Sequence, residues 1–150
     1  MSAQDCCGAT AKAASAPCPS CGVPGSTVQA VTVESLRVAT TVLPEDRWRA
    51  CGTLACAVVW YGEATGTSLD TRACRVRVTA KETAADRPVC YCFGFTARAV
   101  ADRASAGDPV SVEIRDACRR GDARCETTNP RGICCLGEIR RIERPGMPAD

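Results

Sequence analysis

The 150-residue chain is long enough for one ordinary domain or two small ones, and its net charge of +2 excludes a strong field for nucleic acid or a membrane surface. Aromatic residues make up only 4% of the sequence, so core side chains bury little area each, and we expect small modules stabilised by bound metal. The chain has 13 cysteines and no histidine, which restricts soft-metal sites to thiolates and excludes histidine-based acid–base catalysis.

The sequence also indicates the cellular compartment in which the cysteines function. No apolar run is long enough to cross a membrane, and the first 17 residues contain no continuous apolar segment of a secretory signal. We therefore expect a cytoplasmic protein, in which cysteines serve metal or redox chemistry rather than disulfides. The odd number of cysteines and the vicinal pairs Cys6-Cys7 and Cys134-Cys135 also suit simple disulfide pairing poorly.

The chain begins with a segment rich in alanine, serine and threonine, residues 1–16, which we expect to be a flexible tail. Its pair Cys6-Cys7 has two interpretations. Adjacent thiolates on a mobile segment need no fold to capture a soft ion such as Cu(I), but the pair is equally compatible with spare thiols on a disordered tail.

Two cysteine pairs follow at spacings typical of a structural zinc site. Cys18-Pro-Ser-Cys21 is followed by glycine, and Cys51 and Cys56 come about thirty residues later. Four thiolates form the closed tetrahedral sphere that zinc prefers in structural sites, so we expect no catalysis at this metal.

The segments around these pairs predict a small sheet with the zinc knuckles at its edge. Thr27–Val33 and Ala57–Tyr61 have the β-branched and aromatic character of strands, while Glu34–Thr40 is compatible with a short helix. The alternation in Cys74–Thr79 predicts a further strand. Cys74 shares a face with the valines there, so we expect a packed thiol rather than a ligand.

The second half of the sequence predicts helices. Thr96 is a candidate N-cap for one helix, Asp108-Pro109 starts another, and Leu136 begins a short last one. Asn129–Gly132 predicts a turn, and Cys118 lies on an apolar helical stripe, which favours a core position. The resulting fold class is α+β. Its predicted parts are a tail (1–16), a zinc-binding β-rich module (17–86), a helical module (87–145) and a second tail (146–150).

A second cysteine set spans the helical module. Cys90-Tyr-Cys92 is followed, after a spacer of helical length, by Cys125 and then by Cys134-Cys135. Four thiolates brought together in this way can hold an iron–sulfur cluster. Two predicted helices would direct their positive N-terminal ends toward such an anionic cluster, and Arg131 would add charge. Either thiol of the vicinal pair is within reach as the fourth ligand.

The order of motifs resembles a known family. Cys-Pro-x-Cys, Cys-x4-Cys-x-Val-Val-x-Tyr, Val-Cys-Tyr-Cys and Cys-x3-Asn-Pro-x-Gly-x-Cys-Cys, over roughly residues 17–145, resemble the amino-terminal domain of CopZ-type copper metallochaperones. The carboxy-terminal half is also similar to bacterioferritin-associated ferredoxin-like [2Fe–2S] domains. The resemblance implies one zinc and one [2Fe–2S] cluster. The implied zinc ligands are Cys18, Cys21, Cys51 and Cys56, and the implied cluster ligands are Cys90, Cys92, Cys125 and Cys134, with Cys135 as competitor for the last place.

The resemblance implies a metallochaperone or electron carrier rather than an enzyme with side-chain catalysis. The cluster would exchange one electron and reduce Cu(II) to Cu(I) for a copper chaperone or an export pump. Longer family members carry a second domain with a Cys-x-x-Cys copper loop, for which these 150 residues leave no room, so Cys6-Cys7 or a separate protein would carry copper. The alternative is a ferredoxin-like module that docks on a redox partner and has no copper role. A nucleic-acid-binding zinc ribbon is disfavoured because acidic residues are interleaved with the basic ones.

Overall fold

The fold of the chain combines one four-stranded antiparallel sheet with a group of helices, as seen in a computed structural model that describes residues 15–146. The strands are Ser26–Val28 (β1), Trp48–Ala50 (β2), Val58–Gly62 (β3), Ser68–Asp70 (β4), Pro88–Cys90 (β5) and Phe95–Thr96 (β6). The helices are Ala30–Leu36 (α1), Ala97–Ser105 (α2), Val110–Arg119 (α3), Cys125–Thr128 (α4) and Leu136–Glu143 (α5), with 3-10 turns at Thr71–Ala73 and Thr79–Lys81. The mixture agrees with the expected α+β class. The pair Cys6-Cys7 lies outside the described residues.

The sheet runs in the order β1-β2-β3-β4, and β3 is its central buried strand. Because side chains alternate along a strand, Trp60 and Tyr61 point to opposite faces. Trp60 packs in the apolar core of the first half, here called the first core, which also contains Val28 and Val33. Tyr61 packs against the thiols of the first cysteine set. The strand expected over Ala57–Tyr61 is therefore confirmed, with its start one residue later. One face of β3 packs in the apolar core, and the other face packs against the thiols of the candidate metal site.

The segment after β1 corrects the expected strand over Thr27–Val33. The strand stops at Val28, and α1 begins at Ala30, because Val33 and Leu36 are buried at helical spacing against the first core. The helix also ends earlier than the expected Thr40. Extended backbone starts at Arg37, where the Leu36 carbonyl accepts a hydrogen bond from the Arg75 amide at 2.7 Å.

The segment Cys74–Thr79 does not form the expected strand. Only Cys74 makes a β-bridge, and the chain then turns into a 3-10 helix. The hydroxyl group of Tyr91 replaces a partner strand here, since it donates to the Arg77 carbonyl at 2.6 Å and accepts from the Thr79 amide at 3.0 Å. The expected face is correct, because Cys74 and Val78 are both buried in the first core.

The second half forms its own apolar core, here called the second core, from α2, α3 and α5. Val100, Ile114 and Ile139 are fully buried there. Thr96 caps α2 as expected, its hydroxyl accepting from the Ala99 amide at 3.2 Å. The structure places Pro109 rather than Asp108 at the N-cap of α3.

The two halves are in direct contact through α1 and α4. Each half has its own apolar core, which is compatible with the boundary expected near residue 87. In the described part of the chain, no helix has the length and apolar character needed to cross a membrane.

Candidate metal centres

The first cysteine set forms one compact group of four thiols. The sulfur atoms of Cys18, Cys21, Cys51 and Cys56 all lie within 4.8 Å of one another. The Sγ–Sγ distances are 3.9 Å for Cys18–Cys56 and 3.7 Å for Cys21–Cys51. A tetrahedral ion bound at the usual zinc–sulfur length of about 2.3 Å separates its sulfur ligands by about 3.8 Å. The group therefore has the dimensions of a four-thiolate zinc site.

The Cys18–Cys21 loop is folded as a metal knuckle. The Gly22 amide donates to the Cys18 carbonyl at 2.9 Å, and Gly22 has φ +75°, which favours glycine. Burial raises the pKa of the Cys18 thiol, and the backbone amides of Cys21 and Ser20 act in the opposite direction. Amides directed at sulfur stabilise the thiolate form that a metal requires.

The thiols of this set differ in acidity before a metal balances their charge. Burial raises the pKa of Cys18 to about 11. A hydrogen bond with the Thr53 hydroxyl, 3.4 Å away, lowers the pKa of Cys21 to about 6. Thr53 was not identified from the sequence, and its position between Cys51 and Cys56 is the only signal that would have found it.

The second cysteine set forms pairs of thiols instead of one compact tetrahedron. The sulfur atoms of Cys92 and Cys125 are 3.6 Å apart, and Cys90 and Cys135 are buried together in the second core. Among residues 15–146, only the first set brings three or more ligand atoms within 4.8 Å of one another. The tetrad expected from the sequence is thus divided. Its members Cys90, Cys92 and Cys125 belong to these two pairs.

The fourth expected member, Cys134, lies elsewhere. It is exposed. Its neighbour Cys135 is buried, with 5% of its surface exposed, and packs in the second core with Cys90. The vicinal cysteines therefore lie in different environments.

The loop Cys90–Gly94 repeats the construction of the first knuckle. The Gly94 amide donates to the Cys90 carbonyl at 2.9 Å, and Gly94 also has φ +75°. Hydrogen bonding with Cys135, assisted by the backbone amides of Phe93 and Cys92, lowers the pKa of Cys90 to about 7. The same bond raises the pKa of Cys135, so one thiolate and one thiol share the proton.

Cys92 has two further polar neighbours that the sequence did not reveal. The Arg124 amide donates to its sulfur at 3.2 Å, and the Thr128 hydroxyl lies 3.2 Å from the same atom. Burial, followed by the hydrogen bond with Cys92, raises the pKa of Cys125 to about 12. Arg124 directly precedes α4 and Thr128 ends it, so this helix and its N-cap supply one thiol and two polar partners to one place.

The comparisons agree with this architecture. Residues 15–75 match the zf_CopZ family model, described as a zinc binding domain. The copper chaperone CopZ of Archaeoglobus fulgidus is 30% identical over an alignment of 137 residues, with coverage of 85% of this chain and 62% of that protein. The X-ray structure of the Archaeoglobus fulgidus CopZ N-terminal domain aligns with a TM-score of 0.67 at 29% identity, covering 86% of this chain and 98% of the solved chain.

The chain has the fold of a CopZ-type amino-terminal domain. The resemblance deduced from the motifs is confirmed at that level, and the four-cysteine group lies in the part that matches a zinc-binding domain. The chain spans about three fifths of the length of the curated relative. The similarity of the second half to ferredoxin-like [2Fe–2S] domains stays a prediction.

Proposed function

We propose that this chain is a zinc- and [2Fe–2S]-binding protein of copper homeostasis. The observation that carries the proposal is the contacting thiol pair Cys92–Cys125, with Cys90 and Cys135 buried together in the same core, on a CopZ-like fold that also contains a four-thiol group. The zinc would be structural and held by the first cysteine set, because four thiolates leave no open position for a substrate.

The donor set of the second half fits a two-iron cluster. Such a cluster takes four thiolates, two on each iron. The Cys92–Cys125 separation of 3.6 Å suits two ligands of one tetrahedral iron, and Cys90 with Cys135 supplies a second pair. When bound, the cluster would supply one-electron transfer, with Cu(II) as the ion that is reduced.

Burial favours Cys135 over Cys134 as the fourth ligand. Cys135 is almost inaccessible and packs in the same core as Cys90, whereas Cys134 is exposed. A buried ligand also protects a cluster from solvent. We therefore propose Cys90, Cys92, Cys125 and Cys135 as the ligands, a change in the last member from the set implied by the sequence.

The surrounding residues would orient the ligands and adjust their charge. The backbone amide of Arg124 donates to the Cys92 sulfur at 3.2 Å, and such bonds stabilise added negative charge on a cluster. No described side chain is needed as an acid or base, because electron transfer to a copper ion moves no proton. The copper ion, a copper chaperone or export pump, and an electron donor are the proposed partners, by analogy with the named function of the relative.

The test is anaerobic purification followed by assays of iron, sulfide and zinc, with visible and EPR spectra before and after reduction. We expect two irons, two sulfides and one zinc per chain. Cys135→Ser should lose the iron chromophore and Cys134→Ser should keep it. The reverse result would assign Cys134 instead. A colourless wild-type protein containing only zinc, even after reconstitution, would refute the redox function.

A copper assay separates the remaining functions. Cu(II) added to the reduced protein should be converted to Cu(I), detected with a chromophoric Cu(I) chelator, as the cluster spectrum returns to its oxidised form. A cluster that transfers electrons to a protein acceptor but not to Cu(II) would leave the ferredoxin-like module as the function.

A further inference from the structure

A groove of about 480 Å³ lies beside α3 and α5, two helices that pack against each other in the second half. Three arginines line it. Arg115 is in α3, Arg140 is in α5, and Arg144 is the C-cap of α5. All three are exposed, and Arg140 and Arg144 lie on one side of their helix because they are four positions apart. Two helices therefore supply cations to the same groove.

The described part of the chain does not balance the charge of this groove. Among residues 15–146, none of the three guanidinium groups forms an ion pair with a carboxylate, whereas Arg103 nearby lies 2.8 Å from Asp108. The carboxylate that lines the groove belongs to Glu143, and it accepts a hydrogen bond from the Ser111 amide at 2.8 Å. Three positive charges against one negative charge leave the groove cationic.

We propose that this groove docks an acidic surface of a partner protein, the carrier that donates an electron to the cluster. Guanidinium groups bind carboxylates through paired N–H donors, which gives such a contact both strength and orientation. The groove also contains an apolar contact, because the Val112 side chain lines it and is 45% exposed. Arginines around an exposed apolar side chain are typical of protein interfaces. The identity of the partner as an electron carrier rests on the proposed function.

The charges around the groove favour an acidic protein over nucleic acid. Glu113 and Asp116 directly follow Val112 and Arg115 in α3, and both acidic side chains are exposed. The basic surface is therefore interrupted on α3 and does not form the continuous track that a phosphate backbone needs. A short acidic segment of a protein fits a cationic groove of this size.

The groove lies close to the proposed cluster. Cys135, a proposed ligand, is the N-cap of α5, and Arg140 follows it by five positions, which is about 8 Å along the helix axis. A reduced carrier docked here would lose one electron, and the oxidised cluster would gain it. No proton moves in that step, so the groove needs to supply only position and charge.

The test measures the reduction of the anaerobically purified protein by a reduced flavodoxin, a small acidic one-electron carrier, in a stopped-flow instrument. The groove variant carries Arg115→Gln, Arg140→Gln and Arg144→Gln. The matched control variant removes the same charge from exposed positions outside the groove, through Arg98→Gln, Arg119→Gln and Arg120→Gln. Iron and zinc contents and full reduction by dithionite show that each protein carries an intact cluster.

We expect the groove variant to lower the second-order rate constant about tenfold or more at low salt, because electrostatic steering is lost. The control variant should lower it much less, and high salt should remove the difference between the two variants. Equal rate constants in the groove variant and the control variant would overturn the inference, since overall charge would then explain the effect. A wild-type protein that neither binds the flavodoxin nor is reduced by it would overturn it as well.

A binding assay separates this inference from the proposed function. The anisotropy of a labelled flavodoxin is measured with each protein, whether or not the protein contains iron. Weaker binding by the groove variant alone, in proteins without a cluster, would support the docking surface while refuting the redox function. A labelled single-stranded oligonucleotide is the second probe. Oligonucleotide binding that only the groove variant loses, with flavodoxin binding unchanged, would assign the groove to nucleic acid and overturn the inference.

Discussion

The indole nitrogen of Trp60 donates a hydrogen bond of 2.7 Å to the carbonyl oxygen of Pro130, seventy positions later. Trp60 lies in the central strand of the sheet, and Pro130 lies in the turn that leads to Cys134 and Cys135. Both residues are fully buried. The core of the zinc-binding half therefore fixes the turn that carries two thiols of the other half.

Replacement of Trp60 by Phe should weaken this connection. A buried carbonyl left without its donor costs about 1–3 kcal/mol, so the free energy of unfolding should fall by that amount or more. The iron chromophore should also decay faster under air, because the turn before Cys134 loses its anchor. Urea unfolding and the half-life of the visible absorption measure the two effects. Trp48→Phe is the control for lost volume, since Trp48 is equally buried on the neighbouring strand. Equal chromophore half-lives in the two variants would contradict the anchoring role.

Replacement of Cys51 by Ser should remove zinc and destabilise the first half. Cys51 belongs to the four-thiol group, and binding energy at structural zinc sites is largely folding energy. Zinc content and thermal unfolding report the change, and Cys74→Ser is the control because Cys74 is buried outside the group. A Cys51→Ser protein that retains one zinc and the wild-type melting temperature would show that this thiol is not a ligand.

Gly132 should tolerate no side chain. Its φ of +65° is strained for other residues, and a Cβ there would lie 2.7 Å from the hydroxyl oxygen of Thr32 on α1. We expect Gly132→Ala to lower the free energy of unfolding by about 1–3 kcal/mol. Adding Thr32→Ala should restore part of the loss, because that hydroxyl has no hydrogen-bond partner among residues 15–146.

The matched control for this variant is Gly137→Ala. Gly137 lies inside α5 with open space around its Cα, so alanine there should stabilise the protein by about 0.5–1 kcal/mol. Both variants are compared by urea unfolding. Similar losses in Gly132→Ala and Gly137→Ala would mean that neither the backbone angle nor Thr32 limits position 132.

Asp46 should stabilise the folded protein by an amount that falls as the solution becomes acidic. Desolvation raises its pKa, but hydrogen bonds from Ala64, Thr65 and Arg47 outweigh it and hold the pKa at about 2, below the ordinary 3.8. The carboxylate is thus favoured in the folded state. Its contribution should be complete above pH 3.8 and should disappear as the pH falls toward 2. The measurement is the difference in unfolding free energy between wild type and Asp46→Asn from pH 2 to 6. Zinc loss in acid affects both proteins, so it drops out of this difference. A difference independent of pH would contradict the assignment.

The sequence predicted the helices of the second half better than the strands of the first. Thr96 provides a local capping signal for α2, and the apolar stripe of α3 needs no partner to be recognised. Around Val31 and Thr32, β-branched residues favoured a strand. The helix forms there because it buries Val33 and Leu36 against Trp60 and its neighbours. Intrinsic propensity is weak compared with such burial.

By itself, the sequence determined which metals the chain is suited to hold. A histidine-free chain with 13 cysteines must build soft-metal sites from thiolates, and the spacing of Cys18, Cys21, Cys51 and Cys56 predicted the group that the structure brings together. The tertiary structure decided which of the later thiols are neighbours. Cys134 and Cys135 are adjacent in the chain, yet one is exposed and the other is buried in the same core as Cys90. Sequence spacing cannot separate them, because both can reach the same place and only packing around α5 selects the side chain that turns inward.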